Sequence, residues 1–137
     1  MADVTITPGN IEKVTAGTST TEVTLETSTT TSGGEVLRST SLGYVKSDNS
    51  SLTSATISGI AMGKGSAEGP VDIFNSPGRV IDIGATLTEG TVYVVSATAG
   101  GIAPYADLLT GARAMMIGVG DPNGQLMYYP KDLGVAS

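Results

Sequence analysis

The chain carries few residues able to do chemistry, and their spacing argues against most uses. Cysteine and histidine are both absent. That removes thiol and imidazole nucleophiles and bases, the Ser–His–Asp arrangement, and zinc sites of the usual Cys/His kind. Acid–base work would fall to carboxylates, lysine or tyrosine. Asp72 and Asp82 each alternate with apolar residues and could be imagined as the carboxylate pair of a glycoside hydrolase. The same alternation sends both to a polar face, where they read as solubilising charge. Gly63-Lys64-Gly65-Ser66-Ala67-Glu68-Gly69 has the letters of a phosphate-binding loop. However, Gly59 precedes Gly63 by three intervening residues rather than four, Lys64 is followed by Gly, and a strand-like Pro70-Val71-Asp72-Ile73 stands where a helix should begin. Asp121-Pro122-Asn123-Gly124 shares letters with a calcium loop but lacks its remaining ligands and terminal Glu. No Gly-x-Ser-x-Gly elbow occurs. The expectation is a chain with no catalytic residues, no cofactor and no metal.

The elements that would position any site are strands. Asp3-Val4-Thr5-Ile6-Thr7 and Glu22-Val23-Thr24-Leu25-Glu26 alternate polar and apolar residues with β-branched filling, the pattern of half-buried strands. Pro8-Gly9-Asn10 breaks the first. The second runs into the stretch from Thr27 to Gly34, which has no apolar residue to bury. This stretch reads as a loop or arm whose order must come from backbone pairing or a partner. Further strands are expected at Val36–Arg38, Leu42–Lys46, Ala55–Met62, Val71–Phe74, Val80–Ile83, Thr91–Ala97, Arg113–Gly118 and Gln125–Tyr129. Turn signals separate them. At Asp121-Pro122-Asn123-Gly124, Pro presets φ and Asn and Gly tolerate positive φ, so a hairpin pairing Met115–Val119 with Gln125–Tyr129 follows. One short helical turn is expected within Ala106–Gly111.

Many short strands without alternating helices predict an all-β fold, an antiparallel β-sandwich with an extended N-terminal, Thr-rich segment. A small β-barrel is the alternative. At 137 residues this is one domain, 35–137, with residues 1–34 as an arm partly in the sheet. Seven Lys plus Arg against 13 Asp plus Glu give a net charge of −6, and the cations are scattered, which argues against nucleic acid. No apolar run approaches a membrane span, and Met1-Ala2-Asp3 lacks the features of a signal peptide, so synthesis in a cytoplasm is expected.

The segment from Ser54 to Leu108 resembles a known family. Gly59-Ile60-Ala61, Gly69-Pro70-Val71 and above all the run Gly84-Ala85-Thr86-Leu87-Thr88-Glu89-Gly90-Thr91-Val92-Tyr93-Val94-Val95-Ser96-Ala97-Thr98-Ala99-Gly100-Gly101-Ile102-Ala103-Pro104 are similar to the capsid cement, or head decoration, proteins of tailed bacteriophages. The resemblance covers about two-fifths of the chain, and the opening Ala2–Thr7 also looks like the start of such proteins. It implies a small β-sandwich, jelly-roll-like or of the β-tulip decoration kind. Such a protein coats the outer surface of an icosahedral virion, bridging neighbouring major capsid protein subunits against internal DNA pressure. It also implies a homodimer or homotrimer at capsid symmetry positions, and no catalytic residues. The Thr-rich stretch and the Met- and Tyr-rich last hairpin depart from the family pattern.

Contact with the shell is expected from Val4, Ile6, Val23 and Leu25 in the extended segments, through strand addition, and from Met127, Tyr128 and Tyr129 in the last hairpin, where Tyr and Met suit interfaces. The bland alternatives are that Val4 and Ile6 lie in an ordinary sandwich strand and that the hairpin's apolar residues are core. Two rival classes stand beside the cement reading. A virion fibre or host-surface-binding module should show longitudinal repeats, and none is found. A carboxylate-dependent hydrolase would need paired acids in a cleft.

Overall fold

A computed structural model describes residues 4–6, 11–13 and 20–136. The chain is all-β, as its alternation predicts. Its strands are β1 (Ile11–Lys13), β2 (Thr20–Thr24), β3 (Val36–Thr40), β4 (Gly43–Lys46), β5 (Gly59–Ala61), β6 (Pro70–Phe74), β7 (Val80–Ile83), β8 (Val92–Val95), β9 (Ile102–Pro104), β10 (Arg113–Gly120) and β11 (Leu126–Val135). They form two antiparallel sheets, one in the order β2-β6-β5-β3-β4 and the other β1-β7-β11-β10-β8-β9. The chain completes the first sheet before it builds the second from β7 onward, with β1 added at the second sheet's edge, rather than shuttling between layers strand by strand.

The first sheet curls until its edges meet. Leu25, just past β2, bridges Tyr44 of β4 in parallel, and the Glu26 N–H donates to the Tyr44 carbonyl at 3.0 Å. An odd number of antiparallel strands can close only with one parallel seam, and this is that seam. Gly43 (φ +138°) makes the approach possible, since a Cβ there would lie 3.0 Å from the Thr24 carbonyl oxygen. Inside the curl sits a small core of Val23, Leu25, Leu37, Ala61, Val71 and Ile73, with Tyr44 packed against it.

The larger core lies between the sheets. Val36, Ile60 and Phe74 from the first sheet meet Ile81, Ile83, Tyr93, Val95, Ile117, Leu126 and Tyr128 from the second. The Phe74 and Tyr128 rings pack edge to face, with centroids 5.4 Å apart and planes at 86°. That geometry aligns the positive edge of one ring with the negative face of the other. Because the first sheet has a core on each face, β5 reads as an unbroken apolar run, fully buried along Gly59–Ala61.

Three expectations change. The strand expected at Ala55–Met62 is only β5. Before it, Leu52–Ala55 forms a single helical turn (α1), because the Ser51 side chain caps it by accepting from the Ser54 N–H at 3.1 Å. The stretch from Thr27 to Gly34 is no free arm. Thr31 is buried and exchanges two backbone hydrogen bonds with Gly65, of 3.0 and 3.1 Å, and Gly34 donates to Ala61 at 2.7 Å. The Glu35 carboxylate accepts from the N–H groups of Ser32 and Gly33, both at 2.8 Å. Its order thus comes from backbone pairing within its own chain. The helical turn expected at Ala106–Gly111 forms one residue earlier, as a 3-10 turn at Tyr105–Asp107.

Residues 4–6 form no strand, but the Val4 N–H donates to the Ile102 carbonyl beside β9 at 2.8 Å. Val4 and Ile6 are half-buried against the main core. The ends of the expected first strand, residues 2, 3 and 7, and its Pro8–Asn10 break lie outside the described residues.

Candidate interaction surface

The last hairpin pairs β10 with β11 as the Asp-Pro-Asn-Gly turn predicts. Asp121 closes the turn: its Oδ1 accepts from the N–H groups of Asn123 (2.9 Å) and Gln125 (2.8 Å). The carboxylate is therefore spent on backbone donors. The strands run longer than expected, Arg113 pairing with Val135 and Gly120 with Leu126. Between those two pairs β11 advances nine residues while β10 advances seven, so two extra residues bulge out of β11. Gly118 sits at one irregularity, where a Cβ would lie 2.0 Å from the Met127 carbonyl oxygen, so only glycine fits.

Alternation along these strands assigns their faces. Leu126 and Tyr128 point into the core, while Met127 and Tyr129 point outward at 44% and 54% exposure. The register then builds a row across the outer face: Val80 pairs with Met127, Met127 with Val119, and Val119 with Val92. Four adjacent strands thus present four apolar residues side by side. Six of the eight large apolar side chains exposed among the described residues lie between Tyr105 and Val135; the other two are Leu42 and Leu52. Four of the eight, Met127, Tyr129, Leu133 and Val135, lie on β11 alone, and apolar exposure gathered on one strand is the kind that suits a contact surface.

Of the contact residues expected from sequence, the structure brings only Met127 and Tyr129 together on an exposed face. Val23 and Leu25 line the small core, 8% and 1% exposed, and Tyr128 lies in the main core at 2%. These three are corrections. Each sits on the inward phase of its alternation, and burial within the chain leaves nothing for a partner to touch. Val4 and Ile6 are already half-committed to the core. Sequence reading missed Val80, Val92 and Val119, whose signal is only the register that aligns them.

The open edge of β11 is blunted. Past Tyr128, which exchanges backbone bonds with Gly78 and Arg79, β10 is its one strand partner among the described residues. Along that edge Pro130 has no N–H, and the Gly134 N–H is held by Asp132 Oδ1 at 2.9 Å. Asp132 is itself fixed by Arg113 at 2.5 Å. The Gly134 hydrogen bond and the guanidinium together hold the Asp132 carboxyl below the usual range. Proline, a capped donor and bulges are the devices that keep a strand edge from recruiting another chain. Partner binding by strand addition is thus disfavoured at this edge.

No family model, curated protein or solved structure matches the chain. Among the described residues no three potential metal-binding side chains gather, and no helix is long and apolar enough to cross a membrane. The Asp72 and Asp82 pair of the hydrolase reading is split between the two sheets, on β6 and β7.

Proposed function

We propose that this chain is a structural virion protein that binds the outer surface of an icosahedral phage capsid and cements neighbouring major capsid proteins against internal DNA pressure. The observation that carries the reading is the in-register apolar row Val80–Met127–Val119–Val92, with Tyr129 beside it, on the solvent face of the second sheet. An apolar row running across four strands suits repeated shallow contacts on a lattice, where many weak bonds act together. The resemblance of residues 84–104 to head decoration proteins supports the same reading. Those residues supply the loop after β7, β8, the Ser96–Gly101 turn and β9, and β10 pairs against β8. The partners would be the major capsid protein and further copies of this chain as dimers or trimers. The protein would be made in the host cytoplasm and then held on the virion exterior. Acidic net charge suits such a coat, since it does not hold DNA.

The test is cosedimentation with undecorated shells, followed by imaging of the particles. Wild-type protein should sediment with shells and occupy symmetry positions, and Met127→Glu with Tyr129→Glu should stay in the supernatant while remaining folded. Wild-type protein that ignores shells but adheres to host cells would replace this reading with the fibre or host-surface one.

A further inference from the structure

The β3–β4 hairpin ends in a turn of two residues, Ser41 and Leu42, between the paired Thr40 and Gly43. Tight turns favour Gly, Asn, Asp and Ser, which suit water and unusual dihedrals. A leucine there projects from the molecule, and Leu42 is the most exposed large apolar residue among those described, at 81%. An exposed leucine alone is ordinary, but this one is held. The Thr40 hydroxyl accepts from the Leu42 N–H at 3.1 Å and donates to the Glu26 carboxylate. The seam that joins Leu25 and Glu26 to Tyr44 braces the same tip. The side chain is therefore presented on fixed backbone, so docking it costs little ordering entropy.

At the other end of the same ladder lies a cavity of about 260 Å³, lined by Ile6, Gly33, Gly34, Ala99 and Gly100 together with Glu35 and Lys46. Its walls are fixed by backbone bonds: the Val36 N–H donates to the Gly100 carbonyl at 3.0 Å, and the Gly100 N–H to the Ser47 carbonyl at 2.7 Å. The Glu35 carboxylate is taken up by the Ser32 and Gly33 N–H groups. Lys46 is half-buried and has no carboxylate partner among the described residues. Leu42 cannot enter this cavity in its own chain. From Gly43 to Lys46 the strand runs about 10 Å away from the tip, and Gly100 lies beyond, against Ser47.

We propose that Leu42 of one copy seats in this cavity of a second copy of the chain, with Glu26 beside the leucine facing Lys46 beside the cavity. An apolar projection meets a concavity walled by isoleucine, alanine and glycine, and a carboxylate with one oxygen to spare meets an unpaired ammonium. Projection and cavity are different surfaces of one copy. The contact is therefore reciprocal within a two-fold pair or head-to-tail around a ring. One leucine and one charge pair fall below the size of a standard interface. Such a contact gains strength where copies are already crowded on a common surface. For that setting it rests on the cement reading, to which it adds the contact between copies.

The chain has no cysteine, so introduced pairs report contact without background. A disulfide forms only where the two Cα atoms come within about 7 Å. The full chain carrying Leu42→Cys and Ala99→Cys is oxidised mildly at high concentration, and its links are read by non-reducing gel and peptide mass. Both positions are exposed, and circular dichroism checks that the fold is kept. Disulfides between position 42 of one chain and position 99 of another should form at least about tenfold faster than links in Leu42→Cys with Glu89→Cys. Glu89 is an exposed turn residue outside the cavity. Adding Lys46→Glu, which sets like charge against Glu26, should slow the linkage. The proposal is overturned if the 42–99 link forms no faster than the control, if 42–42 links are as frequent, or if Lys46→Glu leaves the rate unchanged. No shell is present in these measurements, so this contact and the cement reading fail separately.

Discussion

Tyr128 and Tyr129 are chain neighbours on β11 with opposite fates, so truncating each in turn tests the face assignment on which the interaction surface depends. Tyr128 is buried at 2% exposure with its ring edge-to-face against Phe74, whereas Tyr129 is 54% exposed on the outer face. Removing a large buried aromatic leaves a cavity as well as losing transfer energy, at about 3–5 kcal/mol for aromatic-to-alanine changes. Roughly 0.5–1.5 kcal/mol of that belongs to the ring pair itself. Against a total stability of about 5–15 kcal/mol, Tyr128→Ala removes roughly a fifth or more. For a domain of this size each kcal/mol is worth roughly 3–5 °C, so the midpoint should fall by roughly 10–25 °C. Tyr129→Ala should stay within about 0.5 kcal/mol of wild type, as exposed sites do, and lose shell binding instead. Urea unfolding followed by circular dichroism measures both, with an unchanged slope confirming that the unfolded state is comparable. Burial also pushes the Tyr128 phenol above its ordinary range. Spectrophotometric titration should therefore show the Tyr128 phenol, absent in Tyr128→Phe, ionising only as the chain unfolds. The reasoning fails if Tyr128→Ala costs less than about 1 kcal/mol or Tyr129→Ala costs more than about 2.

Two further outcomes follow from the last hairpin. Gly118→Ala forces a Cβ to within 2.0 Å of the Met127 carbonyl oxygen, a backbone atom that cannot swing aside, so β10 and β11 must separate locally. A loss of about 3 kcal/mol or more is expected by chemical denaturation, at or beyond the upper end of overpacking costs, and near-neutral stability would contradict the register. Asp132, held below the ordinary carboxylate range by the Gly134 N–H and by Arg113, should hold Gly134 at neutral pH. With the folded value depressed, the contact is complete above the unfolded value near about 3.9 and is lost as pH falls through the lower folded one. The Gly134 amide shift, followed by NMR, should move only below about pH 4 and should not titrate in Asp132→Asn; a midpoint at or above about 4 would refute the latch.

Period-two alternation exposed most strands because it is a local property: Val80–Ile83 is found at the residues expected, and the Asp121–Gly124 turn needs only its own dihedral preferences. What alternation cannot supply is how many layers flank a strand. Val23 and Leu25 look like spare apolar residues on a polar ribbon until the first sheet curls and gives that ribbon an inside. Likewise the polar stretch from Thr27 to Gly34 offers nothing to bury, yet it is ordered through main-chain groups that any sequence possesses, and Gly65 lets it approach where a Cβ would meet Leu25 Cδ1 at 2.7 Å. The candidate surface was legible in type, Met and Tyr in the last hairpin, but not in extent. Val80, Val92 and Val119 are unremarkable valines, separated along the chain and joined only by pairing across four strands. In a β-sheet, a row across the strands is a property of register, and register is set by turns, bulges and glycine approaches rather than by the residues that make up the row. A surface built from such rows is therefore hidden in the sequence even when every strand that carries it is plain to read.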